Sequence, residues 1–254
     1  MRSGEDVARV RELAGWGLNH SQIARLTGVS RAAIRDWLRP ESNRLVTPTC
    51  AVCGHPPHTF DGLPGREYAY LLGIYLGDGM LSPIKNKRCF KLRVFMDSRY
   101  PGIIAEVVDA MSIVMPQSLA AIQRHPRHNV VEIHSHSNAW PCFFPQHGPG
   151  RKHERKIELA PWQEAIVERE PQQFIRGLIH SDGCRVMNRV VVNGKHYAYS
   201  RYLFTQVSKD IQGLFCRALD QLGIEYGFCR RGKDVTIHRR ESVERLDAFV
   251  GPKS

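Results

Sequence analysis

The sequence has no apolar run that approaches the ~20 residues of a membrane-spanning helix, and its N-terminus has no apolar segment typical of a secretory signal. These absences argue against a transmembrane or secreted protein. We therefore expect a soluble cytoplasmic chain, associated with the nucleoid if the source is bacterial. Its 254 residues, 42% of them hydrophobic, are enough for one large domain or two smaller ones. In that compartment the seven cysteines are expected as free thiols or metal ligands rather than disulfides.

Acidic residues are scarce relative to basic ones: 25 Asp and Glu stand against 36 Lys and Arg, a formal net charge of +11. This balance favours a polyanionic partner such as nucleic acid, with a generically basic protein as the alternative. The distribution favours the first interpretation. Basic residues concentrate in three segments expected to form strands, 85–99, 185–201 and 230–240, whereas acidic residues lie largely in expected helices. We expect the strands to present one basic surface to phosphates.

Residues 1–40 carry the pattern of three short helices. Ser21 and Ser30 are candidate N-caps of the second and third helices, and Gly28 permits a sharp turn between them. Pro40 ends the third helix. The apolar residues expected to form a small core at helical spacing are Val7, Val10, Leu13, Ile23, Ala24, Leu26, Ile34, Trp37 and Leu38.

This segment resembles the helix-turn-helix of repressors and resolvase-type DNA-binding domains; a plain helical hairpin is the alternative. The resemblance implies that the third helix enters the major groove of DNA. Arg31 and Arg35 lie one turn apart, where they could contact guanine edges or phosphates. The expected DNA-binding residues of this helix are Ser30, Arg31, Arg35 and Arg39.

Residues 41–65 are rich in proline and glycine and predict a linker. The linker contains a Cys-x-x-Cys pair followed by two histidines. The possible zinc ligands are Cys50, Cys53, His55 and His58. Cys142 and His147 could complete a site. The sequence favours an unliganded linker over zinc, because the spacing is tight and a second Cys-x-x-Cys pair is missing.

The remainder of the chain, 66–254, contains an internal repeat. Tyr70–Leu81 (YLLGIYLGDGML) aligns with Phe174–Arg185 (FIRGLIHSDGCR), and both carry an apolar helical pattern that ends in Asp-Gly. Strand-like and helical segments follow each copy in the same order. The pattern predicts two repeats, 66–168 and 169–254, each with the order helix, two strands, helix, two strands, helix.

Asp78 and Asp182 fall at the C-terminal ends of the paired helices, where a carboxylate is disfavoured by roughly 0.3–1 kcal/mol. A residue placed against its local preference suggests a functional role. Small residues four positions apart allow the two helices to approach closely; they are Gly73, Gly77, Gly177 and Ser181. If the helices pack together, the two carboxylates converge and repel each other unless a cation such as Mg²⁺ lies between them.

Leu71–Gly79 (LLGIYLGDG) and Ile175–Gly183 (IRGLIHSDG) resemble the nine-residue motif of the LAGLIDADG homing endonucleases. The segment Arg151–Gly183 is similar to the intein-type pattern of a basic strand, a helix and the second motif. The resemblance covers 66–254. It implies an α+β protein in which two pseudo-symmetric αββαββα repeats form a DNA-binding saddle, preceded by the small all-α helix-turn-helix domain. Such a chain is expected as a monomer with internal pseudo-twofold symmetry.

The resemblance also implies site residues. The expected metal set is Asp78, Asp182, Gly77 and Ser181, which would hold Mg²⁺ or Mn²⁺ for phosphodiester cleavage of double-stranded DNA. Family members place a lysine and a glutamine near the metals, and here the expected catalytic helpers are Lys152 or Lys156, and Gln206.

Two of these helpers lack a match in the other repeat. Met96 is the first-repeat counterpart of Gln206 and cannot polarise water. The second-repeat lysine falls near Arg239 and Arg240, and an arginine is a poor proton shuttle. His180, inside the second motif, is expected to pack between helices rather than to act as a general base.

Strand alternation places basic and hydrogen-bonding side chains on one face of each sheet, although an ordinary solvated face is the alternative. Glu132, His134 and His136 are expected on that outer face. The expected DNA contacts are Lys91, Arg93, Arg189, Arg201, His238 and Arg240.

Three functions are compatible with these features. The first is a metal-dependent, site-specific DNA endonuclease, which the two retained aspartates favour. The second is a transcriptional regulator that keeps the saddle but does not cleave, which the repressor-like N-terminus supports. The third is an RNA-binding or splicing helper on the same scaffold.

Overall fold

The computed structural model divides, by its internal contacts, into two units, Met1–Pro48 and Thr49–Ser254. The residues it describes are 4–38, 49–125, 129–229, 232–251 and 253. Among these residues, no helix combines the length and apolar character that a membrane crossing requires.

The first unit contains helices α1 (Gly4–Gly15), α2 (His20–Thr27) and α3 (Arg31–Leu38). They enclose a small core whose fully buried members are Val10, Leu13, Ile23, Val29 and Ile34. The expectation for Leu26 was wrong, because its side chain is 64% exposed. Arg39 and Pro40 lie outside the described residues.

The caps of α2 differ from the sequence expectation. Asn19, not Ser21, is the N-cap: its side chain accepts hydrogen bonds from the amides of Ser21 and Gln22, at 3.0 Å each. The Gln22 side chain in turn accepts from the Asn19 amide at 2.9 Å, which completes a capping box. Gly28 has φ +66°, a left-handed conformation that ends α2. Ser30 caps α3 as expected, accepting from the Ala33 amide at 3.3 Å.

The second unit contains two copies of the same element order. The first copy comprises α4 (Gly65–Gly77), β1 (Gly79–Pro83), β2 (Phe90–Asp97), α5 (Pro101–Val114), β3 (Ala121–His125), β4 (Val130–Ser137) and α6 (Trp140–Phe143). The second copy comprises α8 (Pro171–Asp182), β5 (Gly183–Val192), β6 (Lys195–Thr205), α9 (Lys209–Gln221), β7 (Gly227–Phe228), β8 (Asp234–Ile237) and α10 (Arg240–Val250). The predicted α+β order αββαββα is therefore present twice. The segment between the copies holds a 3-10 turn, Lys152–Glu154, and helix α7 (Pro161–Arg169). The basic strand expected there is absent: among the described residues 151–160, Lys152–Glu154 form the 3-10 turn and the others belong to no helix or strand.

Each copy forms a four-stranded antiparallel sheet, with the orders β1-β2-β4-β3 and β5-β6-β8-β7. Gly79 pairs with Val94 in the first sheet, and Gly183 pairs with Phe204 in the second. Positions two residues after these partners are therefore equivalent in the two copies. This register makes Met96 the counterpart of Gln206.

Helices α4 and α8 pack against each other through backbone. A Cβ on Gly73 would lie 2.5 Å from the carbonyl oxygen of Phe174, and one on Gly177 would overlap the carbonyl oxygen of Tyr70. One turn further on, a Cβ on Gly77 would overlap the hydroxyl of Ser181. The small residues thus allow the close approach that their spacing predicted. Around this contact α4 is apolar on all sides, and every residue from 68 to 76 is buried in one core shared by both copies.

Candidate active site and nucleic-acid interface

Asp78 and Asp182 mark the points where the paired helices become strands. Asp78 follows the last residue of α4, and Asp182 is the last residue of α8. Gly79 and Gly183 begin the next strands, where a Cβ would lie 2.5 Å from the Cα of Tyr75 and 2.7 Å from the Cα of Ile179, respectively. Only glycine allows such a close turn back onto the helix. The Asp-Gly pair therefore passes from helix to strand without a loop.

The two carboxylates lie together at the ends of the packed helices. A Cβ on Gly77 would lie 3.1 Å from Oδ2 of Asp182. Burial and the charge of Asp78 together raise the pKa of Asp182 to about 6, against the opposing charges of Lys152 and Lys253. Burial also raises the pKa of Asp78, and the same two lysines oppose it. The site therefore contains two partly desolvated carboxyl groups, with the positive charges of Lys152 and Lys253 nearby.

Lys152 is the lysine at this site. Its Nζ donates to the carbonyl oxygens of Gly77, at 2.8 Å, and Leu76, at 3.1 Å, and also to that of Tyr75. These are carbonyls that a helix end leaves without partners. Burial lowers the pKa of Lys152 to about 8, although Asp182 and Asp78 oppose the shift. Lys156 is not part of the site: it is exposed and pairs with Glu158 at 2.6 Å.

Lys253 occupies the matching place in the second copy, a position that the sequence pattern did not predict. Its Nζ donates to the carbonyl oxygen of Gly183, and burial lowers its pKa while the charges of nearby groups, Asp78 and Asp182 among them, oppose the shift. The assignment to Arg239 and Arg240 was wrong, since these residues pair with Glu225 and Glu244 at 2.8 Å each. The repeat itself contained the signal: Lys152 follows the last helix of the first copy as Lys253 follows α10.

Gln206 reaches the second carboxylate. Its Nε2 donates to Oδ2 of Asp182 at 2.7 Å, and its Oε1 accepts from the amides of Val207, at 2.9 Å, and Ser208, at 3.1 Å. These contacts fix which end of the amide faces the aspartate. At the equivalent position of the first copy, Met96 is 4% exposed and has no donor to offer.

The donor set fits a hard divalent cation. Two carboxylates stand at helix C-termini, where the partial charge is negative, and magnesium prefers such oxygen ligands. The carbonyl of Gly77 already accepts from Lys152 and keeps one lone pair. The hydroxyl of Ser181 donates to the carbonyls of Gly177 and Leu178, which leaves its backbone oxygen as the group to face an ion.

His180 packs between helices, as expected. It is 3% exposed, and its ring nitrogens contact the hydroxyl of Tyr70 and the carbonyl oxygen of Val250 at 3.0 Å each. Burial lowers its pKa to about 4. The imidazole is therefore neutral and committed to structure.

The outer face of the first sheet is organised around a carboxylate. Glu132 lies there as expected, yet it is only 5% exposed, because basic side chains cover it. Its Oε1 lies 2.5 Å from Lys91 Nζ, 3.5 Å from Arg93 Nε and 3.4 Å from His134 Nδ1. Burial would raise its pKa, but the hydrogen bond and charge of Lys91 outweigh that effect and hold the pKa below its usual range. Lys91 and Arg93 are thus on the predicted face but partly neutralised.

In the second sheet, strands β5 and β6 extend beyond β7 and β8 as a two-stranded ribbon. Strands β5 and β6 pair along their full length, while β8 pairs only with residues 202–205. Arg201 lies on the outer face with Leu203, and its Nε is buried without a hydrogen-bond partner among the described residues. Tyr197 and Tyr199 share that face and are 49% and 42% exposed. They form a candidate stacking surface that the sequence pattern did not predict.

Three other residues were expected to contact DNA, and the structure places each of them in a different position. Arg189 is exposed, but it pairs with Ala198 and so lies on the face opposite to Arg201. His238 is exposed just beyond β8, on the expected side. Arg240 is not on a strand, because it begins α10.

In the first unit, Arg31 and Arg35 are exposed on α3, as their spacing predicted. Arg31 Nη1 lies 3.5 Å from the hydroxyl of Ser21, and Arg35 Nε lies 3.9 Å from Asp36. Both arginines line an open cleft between α2 and α3 that also contains Arg25. The helix therefore carries exposed cations whose contacts with neighbours are long.

No protein-family model and no curated protein sequence matches the chain. Solved structures do. A structure of I-DmoI in complex with DNA and Mn matches with a TM-score of 0.50 at 17% identity, over 74% of this chain and 98% of that one. Full-length DUF199/WhiA from Thermatoga maritima matches with a TM-score of 0.47 at 13% identity, over 75% of this chain and 56% of that one. The I-LtrWI LAGLIDADG homing endonuclease bound to target DNA matches with a TM-score of 0.46 at 9% identity, over 71% and 80%.

At such low identities the comparison concerns architecture alone. In this chain two αββαββα copies meet along α4 and α8. Both paired motifs end in Asp-Gly, and the two sheets have equivalent strand orders. The chain therefore has the LAGLIDADG fold.

Proposed function

We propose that this protein binds double-stranded DNA and hydrolyses a phosphodiester bond in each strand, with one half of the site contributed by each copy of the repeat. The observation that carries the proposal is the convergence of Asp78 and Asp182, each with a lysine at its helix end. Mg²⁺ or Mn²⁺ bound by these aspartates and the backbone oxygens of Gly77 and Ser181 would activate water and stabilise the leaving oxygen.

The protein's own groups have distinct roles in this proposal. Asp182 is ionised only above a pH of about 6, so cation binding weakens below that value. Lys152, with its pKa of about 8, is close enough to neutrality to exchange a proton near the scissile phosphate as well as to neutralise its charge. Gln206 holds one oxygen of Asp182 and so leaves the other free to face the cation.

Two separate surfaces supply DNA affinity. Arg201, with the exposed Tyr197 and Tyr199, suits a ribbon that lies in the major groove. Arg31 and Arg35 suit base or phosphate contact by α3. Because both surfaces belong to one chain, binding by one raises the effective concentration of the other.

Replacement of Arg31 and Arg35 by alanine tests the role of α3. Loss of two groove contacts is expected to weaken duplex binding by about 10–100-fold. Fluorescence anisotropy with a selected duplex measures the effect, and Arg9→Ala, an exposed arginine of α1, is the matched control. Unchanged affinity in the double variant would remove α3 from the interface.

A DNA-binding regulator that does not cleave is the second candidate. The first copy favours it, since Met96 replaces the glutamine and Glu132 neutralises Lys91 and Arg93. An enzyme that cuts both strands needs two working half-sites, and these differences weaken one of them.

Cleavage of a selected duplex in Mg²⁺ or Mn²⁺ separates the two candidates. Asp78→Asn and Asp182→Asn are expected to lower the rate by at least about 10³-fold while duplex binding persists. Asp109→Asn, an exposed aspartate of α5, should cleave like the wild type. Tight duplex binding by a wild-type protein that never nicks DNA would establish the regulator instead.

A further inference from the structure

Three thiols and an imidazole meet at one point in the second unit, away from the paired aspartates. The ligand atoms of Cys50, Cys53, His58 and Cys142 all lie within 4.8 Å of one another. Cys50 Sγ is 3.6 Å from Cys142 Sγ, and Cys53 Sγ is 3.0 Å from His58 Nε2. Cys142 is 92 residues further along the chain than Cys50, so the fold rather than local sequence creates the cluster.

The loop that carries the first two cysteines is shaped by backbone contacts. The Cys50 amide donates to the His55 carbonyl at 2.7 Å, and the Gly54 amide donates to the Cys50 carbonyl at 2.8 Å. Gly54 has φ +76°, which lets the chain turn sharply after the second cysteine. Backbone amides of Cys53 and Val52 donate to the Cys50 sulfur and fix its position in the loop.

Two other histidines near the cluster, His55 and His147, make different contacts, which leaves His58 as the candidate histidine ligand. His55 Nε2 lies 2.6 Å from Asn138 Oδ1, and Asn138 Nδ2 donates to the Cys53 carbonyl at 2.9 Å. His147 packs its ring against Phe90. The ring of His58, in contrast, is held between Phe60 and Phe143, with Nε2 directed at Cys53.

We propose that Cys50, Cys53, His58 and Cys142 bind one Zn²⁺ ion in a closed tetrahedral site. With Zn–S and Zn–N distances of about 2.3 and 2.0 Å, neighbouring ligand atoms are separated by about 3.5–3.8 Å. The observed separations of 3.0 Å, 3.6 Å and at most 4.8 Å bracket these values. Four protein ligands leave no open position, so the role is structural rather than catalytic.

The position of the site indicates what zinc stabilises. It joins the loop that begins at Thr49 to α6, just ahead of α4. Phe60, two residues after His58, stacks on Trp162 of α7 with ring centroids 3.8 Å apart. The ion therefore anchors the segment that leads into the helix of Asp78. Since ligand deprotonation and folding are coupled to metal binding, removal of zinc is expected to lower thermal stability.

Metal content and Co²⁺ spectra of the full chain test the proposal. We expect one zinc per chain after purification under reducing conditions. Co²⁺ exchanged into the site should show the visible bands of tetrahedral geometry and near-ultraviolet thiolate charge-transfer bands. Cys142→Ser and His58→Ala should weaken Zn²⁺ binding by at least about 100-fold in chelator competition. His58→Cys should restore tetrahedral Co²⁺ binding, which separates loss of a ligand from failure to fold.

Matched controls are Cys184→Ser, an exposed cysteine, and His55→Ala, the histidine bonded to Asn138. Both should retain zinc. Three results would overturn the proposal: a reduced chain that takes up neither metal, an octahedral Co²⁺ spectrum, or binding that is insensitive to Cys142→Ser.

Discussion

The two copies of the repeat share their element order and their Asp-Gly helix ends, yet they differ where a ligand would meet them. The second copy places Gln206 on its aspartate, whereas the first has a buried Met96. The β5–β6 ribbon spans Gly183–Thr205, whereas β1 has only five residues. The same fold therefore contains one half with a long ribbon and a hydrogen-bond donor on its aspartate, and one half whose described residues provide neither.

Charge distinguishes the two outer faces as well. The register makes Arg201 the counterpart of Lys91, and Asp234 the counterpart of Glu132. Lys91 lies 2.5 Å from Glu132, whereas Asp234 accepts from the hydroxyl of Thr205 at 2.7 Å. A carboxylate at equivalent positions thus binds a cation in one sheet and a hydroxyl in the other. Pseudo-symmetry of the backbone does not extend to the potential that DNA would encounter.

Among changes that exchange features between the two copies, the largest effect is expected from making the second half like the first. Gln206→Met removes the donor that orients Asp182, and cleavage rate and Mn²⁺ affinity should fall by about 10–100-fold. Gln221→Met, on α9, is the control. The reciprocal Met96→Gln should lower stability by about 1–3 kcal/mol, because it buries an amide at a side chain that is 4% exposed. A Gln206→Met enzyme that cleaves and binds Mn²⁺ like the wild type would contradict the asymmetry.

Removal of a cation that has no nearby carboxylate among the described residues should weaken duplex binding more than removal of a cation that is paired with one. Arg201→Ala is expected to weaken duplex binding by about 5–10-fold and to reduce the salt dependence by about one counterion. Lys91→Ala is the matched variant, since Lys91 is the counterpart of Arg201 on the outer face of the first sheet and lies 2.5 Å from Glu132. Anisotropy titrations over a range of salt concentrations give both quantities. Equal losses in the two variants would show that pairing does not control the contribution.

A smaller effect is expected from freeing the cations of the first sheet. Glu132→Gln removes the charge that Lys91 and Arg93 share, so affinity for duplex should rise by about threefold at low salt and less at high salt. Glu158→Gln, which frees only the exposed Lys156, should leave affinity unchanged. Weaker binding by Glu132→Gln would indicate that the carboxylate itself contacts the ligand.

The smallest effect concerns stability. The pKa of Asp182 is about 6 in the folded chain against 3.8 for an ordinary aspartate. Above pH 6 the carboxyl is ionised in both states, and the folded state is destabilised because it disfavours the ionised form. Without metal at pH 8, Asp182→Asn should raise Tm by about 2–4 °C, a modest gain because solvent screens part of the charge. The gain should shrink as the pH falls through 6 and disappear below about 3.8, where the wild-type carboxyl is protonated in both the folded and the unfolded state. Thermal melts across this range, with Asp109→Asn alongside, check the sign.

Much of the fold could be predicted because the evidence was local and repeated. Paired Asp-Gly segments, the small residues at Gly73 and Gly177, and the alternation in β2 all depend on near neighbours. The turn at Asn193 and Gly194, where φ is +51° and +76°, was also available as a hairpin signal. Counting back from it would have placed Arg189 on the face opposite to Arg201.

The rest of the site depended on contacts between distant segments. Cys142 completes a cluster begun at Cys50, and Lys253 reaches Gly183 from beyond α10. Glu132 was placed on the correct face, but its burial required the register of three strands. Residue type and spacing do not contain such information, because it arises only when the chain has folded.

The contact between Gly73 and Gly177 sets a mechanical tolerance for the whole site. Gly73 lies five residues before Asp78, about 7.5 Å along the helix axis, and Gly177 stands in the same relation to Asp182. A Cβ at either glycine would meet backbone of the opposite helix, which has no flexible side chain to move aside. The distance between the two carboxylates is therefore set not at the carboxylates but at the glycine contact, by the closest approach of the two helix backbones.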